Sequence, residues 1–510
     1  MLRVVTSEEM REIDRYAMEE IGIKEEILME NAGASIFRHI EKSLIKDDFI
    51  AVLIGAGNNG GDGFVIARYL QNAGYRTHVW LVPPRERVKG CAKYHMEVYE
   101  SCGFEIKPWD ASFYDYLGKY TIIIDALLGT GMKGEVRAPY DEIITAVNER
   151  FTKKVISVDV PSGMVDDAVS PNRVCIKATE TVTIECPKVS AFLYPNRDFY
   201  GELATVSIGI PKMAVERMAE RKIVWTEEHV KKTLPKRPPQ GHKGTFGKAL
   251  IIAGSLTMTG APVLAAKACH RAGAGLVTVA LPDCIHPIVA SQVVEATFLV
   301  CPAKNGSISD EFSDLIEAAS SYDAVAVGPG LSRSPHLSSL IEALLENVQK
   351  PLVIDADGLY HLRELLLVLK NRTSPTIITP HSGEMARLIG CSAAEVEQNR
   401  FTLAKQFAKE YGVYVLLKGP YTIVTAPSGE QYINPTGNVA LAKGGSGDVL
   451  TGIILAQVMQ KQPLQAAVAN AAYIHGKASD ILVRTSFSEY DVLATNVIEA
   501  LPNVFRSLLS

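Results

Sequence analysis

Paired cysteines are missing from this chain. Its eight cysteines stand at 91, 102, 175, 186, 269, 284, 301 and 391, and no two form a C-x-x-C arrangement. That excludes a zinc ribbon and a thioredoxin-type redox centre. Scattered thiols in a chain of 510 residues fit a reducing compartment, not a disulfide scaffold. No apolar run is long enough to span a bilayer, and the N-terminus lacks the apolar stretch of a secretory signal; a cytoplasmic location is expected. An excess of charge is also absent. A net charge of −5, with 21% charged and 47% hydrophobic residues, offers no basic surface for nucleic acid or for an anionic membrane. The expected partners are small molecules and, in a homo-oligomer, further copies of the chain. The length predicts two to four domains.

Glycine is present where it counts. In Lys443-Gly444-Gly445-Ser446-Gly447-Asp448, three glycines in four positions precede an apolar run, 449–459, that reads as a buried helix. Free backbone N–H groups and the helix dipole converge there on an anion, and phosphate is the expected guest. Asp448 would repel a bound phosphate, so its expected use is as a base facing a substrate hydroxyl. A helix cap by Ser446 or Asp448 is the alternative, but a cap does not require three glycines.

In the first half, Thr6-Ser7-Glu8-Glu9 is a capping box. It opens a helix with an apolar stripe of Met10, Ile13, Ala17, Met18 and Ile21. Asp14 lies on that stripe, and a buried structural hydrogen bond is its expected role. A strand over 49–54 runs into Gly55-Ala56-Gly57-Asn58-Asn59-Gly60-Gly61-Asp62-Gly63 and then a helix over 64–73. Gly55, Gly57 and Gly60 fit the dinucleotide fingerprint in its strand–turn–helix setting. The next strand, 77–82, ends in Pro83-Pro84 with no acidic residue for a ribose. Asn58, Asn59 and Asp62 put oxygens into the loop itself. A nucleotide-like ligand held unusually, with a cation, is therefore expected.

Strands over 121–124 and 155–158 lead to Asp125, before Gly129-Thr130-Gly131, and to Asp159, before Pro161-Ser162-Gly163. In a parallel sheet these ends share one edge. There Asn59, Asp125 and Ser162 would offer hard oxygen ligands to an alkali cation, and Asp159 would transfer protons. Each Asp taken alone reads as a cap or turn. Lys188, beyond a strand over 181–185, is a second proton-transfer candidate or a solvated lysine.

Glu30-Asn31-Ala32-Gly33, the loop 57–63, Asp125-Ala126-Leu127-Leu128-Gly129-Thr130-Gly131, Asp159-Val160-Pro161-Ser162-Gly163 and Pro187-Lys188 together resemble the NAD(P)H-hydrate epimerase family over residues 7–210. The resemblance implies interconversion of the R and S epimers of hydrated NADH and NADPH, with potassium at Asn59, Asp125 and Ser162. It implies substrate contacts from Asn58, Asn59, Gly60, Gly61 and Asp62. Further contacts come from Gly129, Thr130, Gly131, Met132, Lys133, Gly134, Glu135 and Asp159. One departure is Asp167-Ala168, where the family has Thr-Gly.

Residues 221–247 are charged and rich in Pro and Gly and are predicted to be a linker, between a domain over 1–220 and a second taken as 226–510. Strand–helix alternation then resumes. Its strand ends are Gly254-Ser255, Gly328-Pro329-Gly330, Asp355-Ala356-Asp357-Gly358, Thr379-Pro380-His381-Ser382-Gly383-Glu384 and Lys418-Gly419, with a hairpin over 422–425 and 431–433. A largely parallel sheet covered on both faces is predicted. The order of strand ends and anion loop is that of the ribokinase-like fold. With Arg271-Ala272-Gly273-Ala274-Gly275-Leu276-Val277 and 437–452, these residues resemble the ADP-dependent NAD(P)H-hydrate dehydratase family over about 226–510. Asn438-Val439-Ala440-Leu441-Ala442 departs from that family's Pro-Gly-Met.

The second resemblance implies that Asp448 takes a hydroxyl proton while the β-phosphoryl of ADP transfers under 445–447 with magnesium. Ala261, Gly330, His381 and Asp448 would touch the hydrated cofactor. Lys418, Gly419, Pro420, Tyr421, Thr422 and Gly447 would hold the adenylate. The expected class is α/β, a Rossmann-like three-layer domain followed by a ribokinase-like α/β domain, and the expected function is bifunctional cofactor repair. The alternative is a small-molecule, vitamin-type kinase with a non-catalytic nucleotide-binding module. His381 opposes it, because vitamin kinases of this fold have Asn-x-x-Glu at that place.

Overall fold

The computed structural model describes residues 2–132, 134–164 and 174–509. Lys133 and the Asp167-Ala168 departure lie outside the described residues. The chain divides into two units, Met1–Lys222 and Ile223–Ser510.

The first unit is built on seven strands: β1 (Phe49–Ile54), β2 (Arg76–Leu81), β3 (Ile106–Pro108), β4 (Ile122–Ala126), β5 (Lys154–Val158), β6 (Glu180–Ile184) and β7 (Glu202–Val206). All pair in parallel, in the order β3-β2-β1-β4-β5-β6-β7. Every residue of β1 is buried, as a parallel strand covered on both faces requires. Its side chains alternate between two cores. Ile50, Val52 and Ile54 pack with Phe64, Ile66 and Leu70, while Ala51 and Leu53 pack with Trp80, Phe113 and Ile143.

Strand order reverses between β1 and β4, so a crevice opens at their C-terminal ends. The following helix begins at Asn58 and runs to Asn72, six residues earlier than the glycine loop predicts. The glycines are spent on close packing instead of an open cradle. A Cβ at Gly55 would lie 1.7 Å from the Leu127 carbonyl oxygen, and one at Gly63 would lie 2.8 Å from Ala126 Cβ.

The second unit opens with β8 (Lys222–Val224) and the helix Glu227–Thr233, inside the segment expected as a linker. Ile223, Trp225 and Val230 enter the core of this unit. The Trp225 indole donates to Asn470 Oδ1 at 2.8 Å. Three apolar side chains dock the segment; averaged composition conceals them.

The series continues with β9 (Lys248–Ile252), β10 (Leu276–Pro282), β11 (Thr297–Cys301), a small ribbon of β12 (Ala303–Lys304) and β13 (Ser307–Ile308), β14 (Ala324–Val327), β15 (Leu352–Ile354), β16 (Thr376–Ile378), β17 (Tyr414–Leu417), β18 (Ile423–Thr425) and β19 (Gln431–Ile433). The large sheet has the order β11-β10-β9-β14-β15-β16-β17-β18-β19-β8. It is parallel from β11 to β17 and antiparallel through β18 and β19. The edge hairpin forms where the sequence predicts it.

Candidate active sites

A cavity of about 550 Å³ opens at the β1/β4 switch point of the first unit. Asn58, Asn59, Asp62, Gly129, Thr130, Gly131, Met132 and Asp159 line it; Gly60, Gly61, Gly134 and Glu135 do not. Asp159 follows β5 with a positive φ of 63°. Its Oδ1 accepts from Lys188 Nζ at 2.5 Å, the Ile184 N–H at 2.9 Å and Thr183 Oγ1 at 3.1 Å. Lys188 is 1% exposed, so the solvated reading of this lysine is corrected. The Val5 N–H donates to Pro187 O, and the Val189 N–H to Val5 O, both at 3.0 Å. Lys188 is thus clamped by a segment far away in sequence. Its short range context, Pro187 after a strand, carries no sign of that.

Asp14 is the second correction. It makes no hydrogen bond among the described residues and lines the cavity instead. Burial pushes its carboxyl up to about 6, with Lys188 opposing and Asp159 adding to the rise. Burial also holds Asp62 well above the usual carboxylate range, and Asp159 and Asp14 raise it further.

Asp125, at the end of β4, is fully buried. Oδ1 accepts from Ser162 Oγ at 2.5 Å, and Oδ2 accepts from Ser157 Oγ at 2.8 Å and the Ser162 N–H at 2.9 Å. Asn59 Nδ2 donates to Leu128 O at 3.2 Å, and Ser162 Oγ reaches the same carbonyl at 3.1 Å. Asn59 and Ser162 therefore meet at one backbone oxygen, and Ser162 joins them to Asp125, with Asn59 Oδ1 uncommitted among the described residues. Burial raises the Asp125 carboxyl, and only neutral donors oppose it. A buried carboxylate without a cationic side chain, ringed by oxygens, fits a monovalent cation. Among the described residues no group of three His, Cys, Asp or Glu could hold a metal.

In the second unit, strand ends again gather the polar groups. Asp355, after β15, is 1% exposed. Its Oδ1 accepts from Thr379 Oγ1 at 2.7 Å and Lys418 Nζ at 2.9 Å; Oδ2 accepts from Thr451 Oγ1 at 2.7 Å. Burial, the largest single influence, pushes the Asp355 carboxyl up, but Lys418 together with the Thr451 and Thr379 hydroxyls brings the result below the usual value. Glu384 Oε2 stands 3.6 Å from Lys418 Nζ. The helix Ser446–Val458 has Gly445 as its N-cap and no side-chain cap, so neither Ser446 nor Asp448 serves as one. Gly445 adopts φ +90°, and a Cβ on Gly447 would lie 3.6 Å from Lys418 Nζ. The loop thus passes directly over the Lys418–Asp355 pair. Burial pushes Asp448 up to about 7; Asp355 adds to this and Lys418 opposes it.

His381 is exposed, not a core histidine. It caps the helix Ser382–Ile389, with Nδ1 accepting from the Gly383 and Glu384 N–H groups. Gly330, at φ +60°, comes close to Ala261: a Cβ there would lie 3.0 Å from Ala261 Cβ. Buried Arg400 donates to Leu417 O and Lys418 O at 3.1 Å each and to Ser382 Oγ at 3.3 Å, tying the end of β17 to the His381 helix. Sequence reasoning assigned no role to Asp355, Thr379, Thr451 or Arg400. Thr451 stands one helical turn after Gly447, a spacing that places it on the same side of the helix.

Two family models match the chain: one described as NAD(P)H-hydrate dehydratase over 249–503, the other as YjeF-related protein N-terminus over 25–190. The bifunctional NAD(P)H-hydrate repair enzyme Nnr of Moorella thermoacetica is 37% identical over 515 residues, 99% of this chain and 97% of that protein. A solved ribokinase-like superfamily protein from Enterococcus faecalis V583 is 26% identical, with TM-score 0.50 over 56% of this chain and 96% of its own. The ADP/ATP-dependent NAD(P)H-hydrate dehydratase of Bacillus subtilis, co-crystallised with ATP and Mg2+, is 33% identical, with TM-score 0.49 over 56% of this chain and 98% of its own. Agreement along the whole length leaves the vitamin-kinase alternative unfavoured. With both family models matched in order and a relative aligned over nearly every residue, the chain belongs to the bifunctional NAD(P)H-hydrate repair enzyme family.

Proposed function

We propose that the second unit uses ADP to dehydrate the S epimer of hydrated NADH or NADPH, giving the reduced cofactor, AMP and phosphate. The first unit interconverts the R and S epimers, so that neither is stranded. The observation that carries the reading is Asp448, poised at a helix N-terminus beside a glycine loop that lies over Lys418 and Asp355. Hydroxide is a poor leaving group and phosphate a good one. Asp448 takes the proton of the ring hydroxyl, whose oxygen attacks the β-phosphorus of ADP; the bond to the bridging oxygen breaks and AMP leaves. The backbone N–H groups of 445–447 and the Lys418 ammonium receive the transferring charge. The ring C–O bond, whose oxygen now carries the phosphoryl group, then breaks; phosphate leaves with that oxygen as a neighbouring ring proton is lost, restoring the double bond.

Ala261, Gly330 and His381 border the hydrated cofactor in this proposal, and Lys418 to Thr422 the adenylate. Magnesium would neutralise phosphate charge. It needs only one or two protein carboxylates beside phosphate oxygens, and Asp355 and Glu384 beside Lys418 suit it. The choice of ADP over ATP rests on the family resemblance. The eight free thiols suit the reducing conditions of the cytoplasm.

Incubation with ADP and hydrated NADH should release phosphate and restore the absorbance of NADH; a stable phosphorylated vitamin made from ATP would favour the kinase reading instead. The base must be unprotonated, and Asp448 sits at about 7. Dehydration kcat/KM is therefore expected to fall about tenfold per pH unit below neutrality and to level off above it, as a pH–rate profile will show.

Potassium would lie among Asn59 Oδ1, Asp125 and Ser162. A ligand that binds only the folded state stabilises it, so thermal unfolding of the first unit should occur at higher temperature in potassium chloride than in choline chloride. Asp125→Asn should erase that difference, measured by differential scanning fluorimetry.

A further inference from the structure

Two carboxylates border the cavity of the first unit without a hydrogen bond among the described residues: Asp14, on the helix Ser7–Glu19, and Asp62, on the helix Asn58–Asn72. Asp62 is 7% exposed, and an unpartnered carboxyl so deeply placed is costly unless a ligand meets it. The other two carboxylates of the lining are partnered: Glu25 Oε1 accepts from Asn58 Nδ2 at 3.0 Å, and Asp159 is held more firmly. Lys188, Thr183 and Ile184 all donate to its Oδ1, and Oδ2 receives none of them. Asp14 faces Lys188, Asp159, Glu185, Glu25 and Asp62; burial together with this mostly acidic company lifts its carboxyl to about 6. The cavity therefore holds one carboxylate fixed by donors and two unpartnered carboxyls, Asp14 and Asp62, that keep their protons closer to neutrality, a division of acid from base by environment.

Epimerisation needs such a pair. A dihydronicotinamide ring is an enamine, so water adds with its proton on C5 and its hydroxyl on C6, beside ring nitrogen N1. The hydrate is a carbinolamine. C6 inverts when the C6–N1 bond opens: the hydroxyl proton passes to a base, C6=O forms, and the electron pair of the broken bond goes to N1, which takes a proton from an acid. Rotation about C5–C6 turns the other face of the aldehyde to N1. On closure N1 returns its proton, re-forms the bond to C6, and the alkoxide regains its own. Nothing is oxidised or reduced and no co-reactant is consumed.

Resting on the epimerase reading of this unit, we propose that Asp14 is the acid that protonates N1 as the ring opens and the carboxylate that takes the proton back on closure, while Asp159 Oδ2 serves the hydroxyl. The test uses the full chain and purified R-hydrate of NADH without ADP, following the approach to the epimer equilibrium by chromatography from about pH 5 to about pH 9. Wild type should slow as pH rises past about 6, because the acid loses its proton. Asp14→Asn should lower kcat about 100-fold or more with KM within about threefold, and should lose that alkaline decline; Asp14→Glu should restore a large part of the rate. Thermal unfolding of the first unit reports that it is folded in each variant, and dehydration of the S epimer with ADP, in the same preparations, reports the same of the second. An Asp14→Asn rate within about threefold of wild type, or an unchanged alkaline decline in that variant, overturns the role. If Asp14→Asn does not fold, an Asp14→Glu variant with an unshifted decline overturns it equally. A wild-type chain that leaves the R-hydrate untouched would overturn the epimerase reading, and the role with it.

Discussion

Asp448→Asn is expected to lower ADP-dependent dehydration by about three orders of magnitude, the middle of the range for loss of a general base, while epimerisation by the same chain continues. The substitution keeps the shape of the side chain and removes only its ability to take a proton. Structural damage is not a competing explanation. Asp448 caps nothing, and its charge is opposed by burial and by Asp355. A carboxyl raised in the folded state stabilises at low pH, and that contribution is lost as pH rises through about 7. The neutral amide should therefore match or exceed wild-type stability at alkaline pH, measured by thermal unfolding, even as activity vanishes. Parallel loss of dehydration and of folding would remove Asp448 from the chemistry, and loss of epimerisation as well would contradict two separate sites.

Lys188→Met should have the largest effect on stability. The Lys188–Asp159 pair is buried on the lysine side and 14% exposed on the aspartate side. Removing one partner of such a pair strands the other's charge, at a cost of roughly 3–5 kcal/mol. Urea unfolding should show that loss in the first unit, and epimerisation should fall by at least about 100-fold. Adding Asp159→Asn removes the stranded charge, so the double variant should regain most of the stability and none of the epimerase activity. A double variant as unstable as Lys188→Met alone would show that packing, not charge, sets the effect.

What the chain disclosed in advance was local chemistry. Glycine beside aspartate at strand ends located the cavity of the first unit and the cluster of Asp355, Lys418 and Asp448 in the second, because short loops after parallel strands leave few other places for such residues. A helix follows the second glycine loop as expected, but it begins at Ser446, three residues before the apolar run that predicted it. What stayed hidden depended on contacts between distant segments. Lys188 reads as a surface residue until Val5 is laid beside it. Asp14 reads as a structural residue on an apolar stripe, since periodicity reports burial and not whether a cavity adjoins. Asp355 stood among the strand-end motifs without a role, because its three partners come from three other elements. The segment 221–247 has the composition of a tether, yet Ile223, Trp225 and Val230 make it part of a core.

The pairing of Val5 with residues 187–189, and of the Val4 N–H with Lys222 O at 2.9 Å, sets an order of maturation. During synthesis Val4 and Val5 must wait for partners made much later. Loop closure over so long a span is slow and entropically costly. The Val5 pairing that clamps residues 187–189 cannot form before both segments have emerged, so the proton-handling end of the cleft depends on a contact that becomes available late in synthesis.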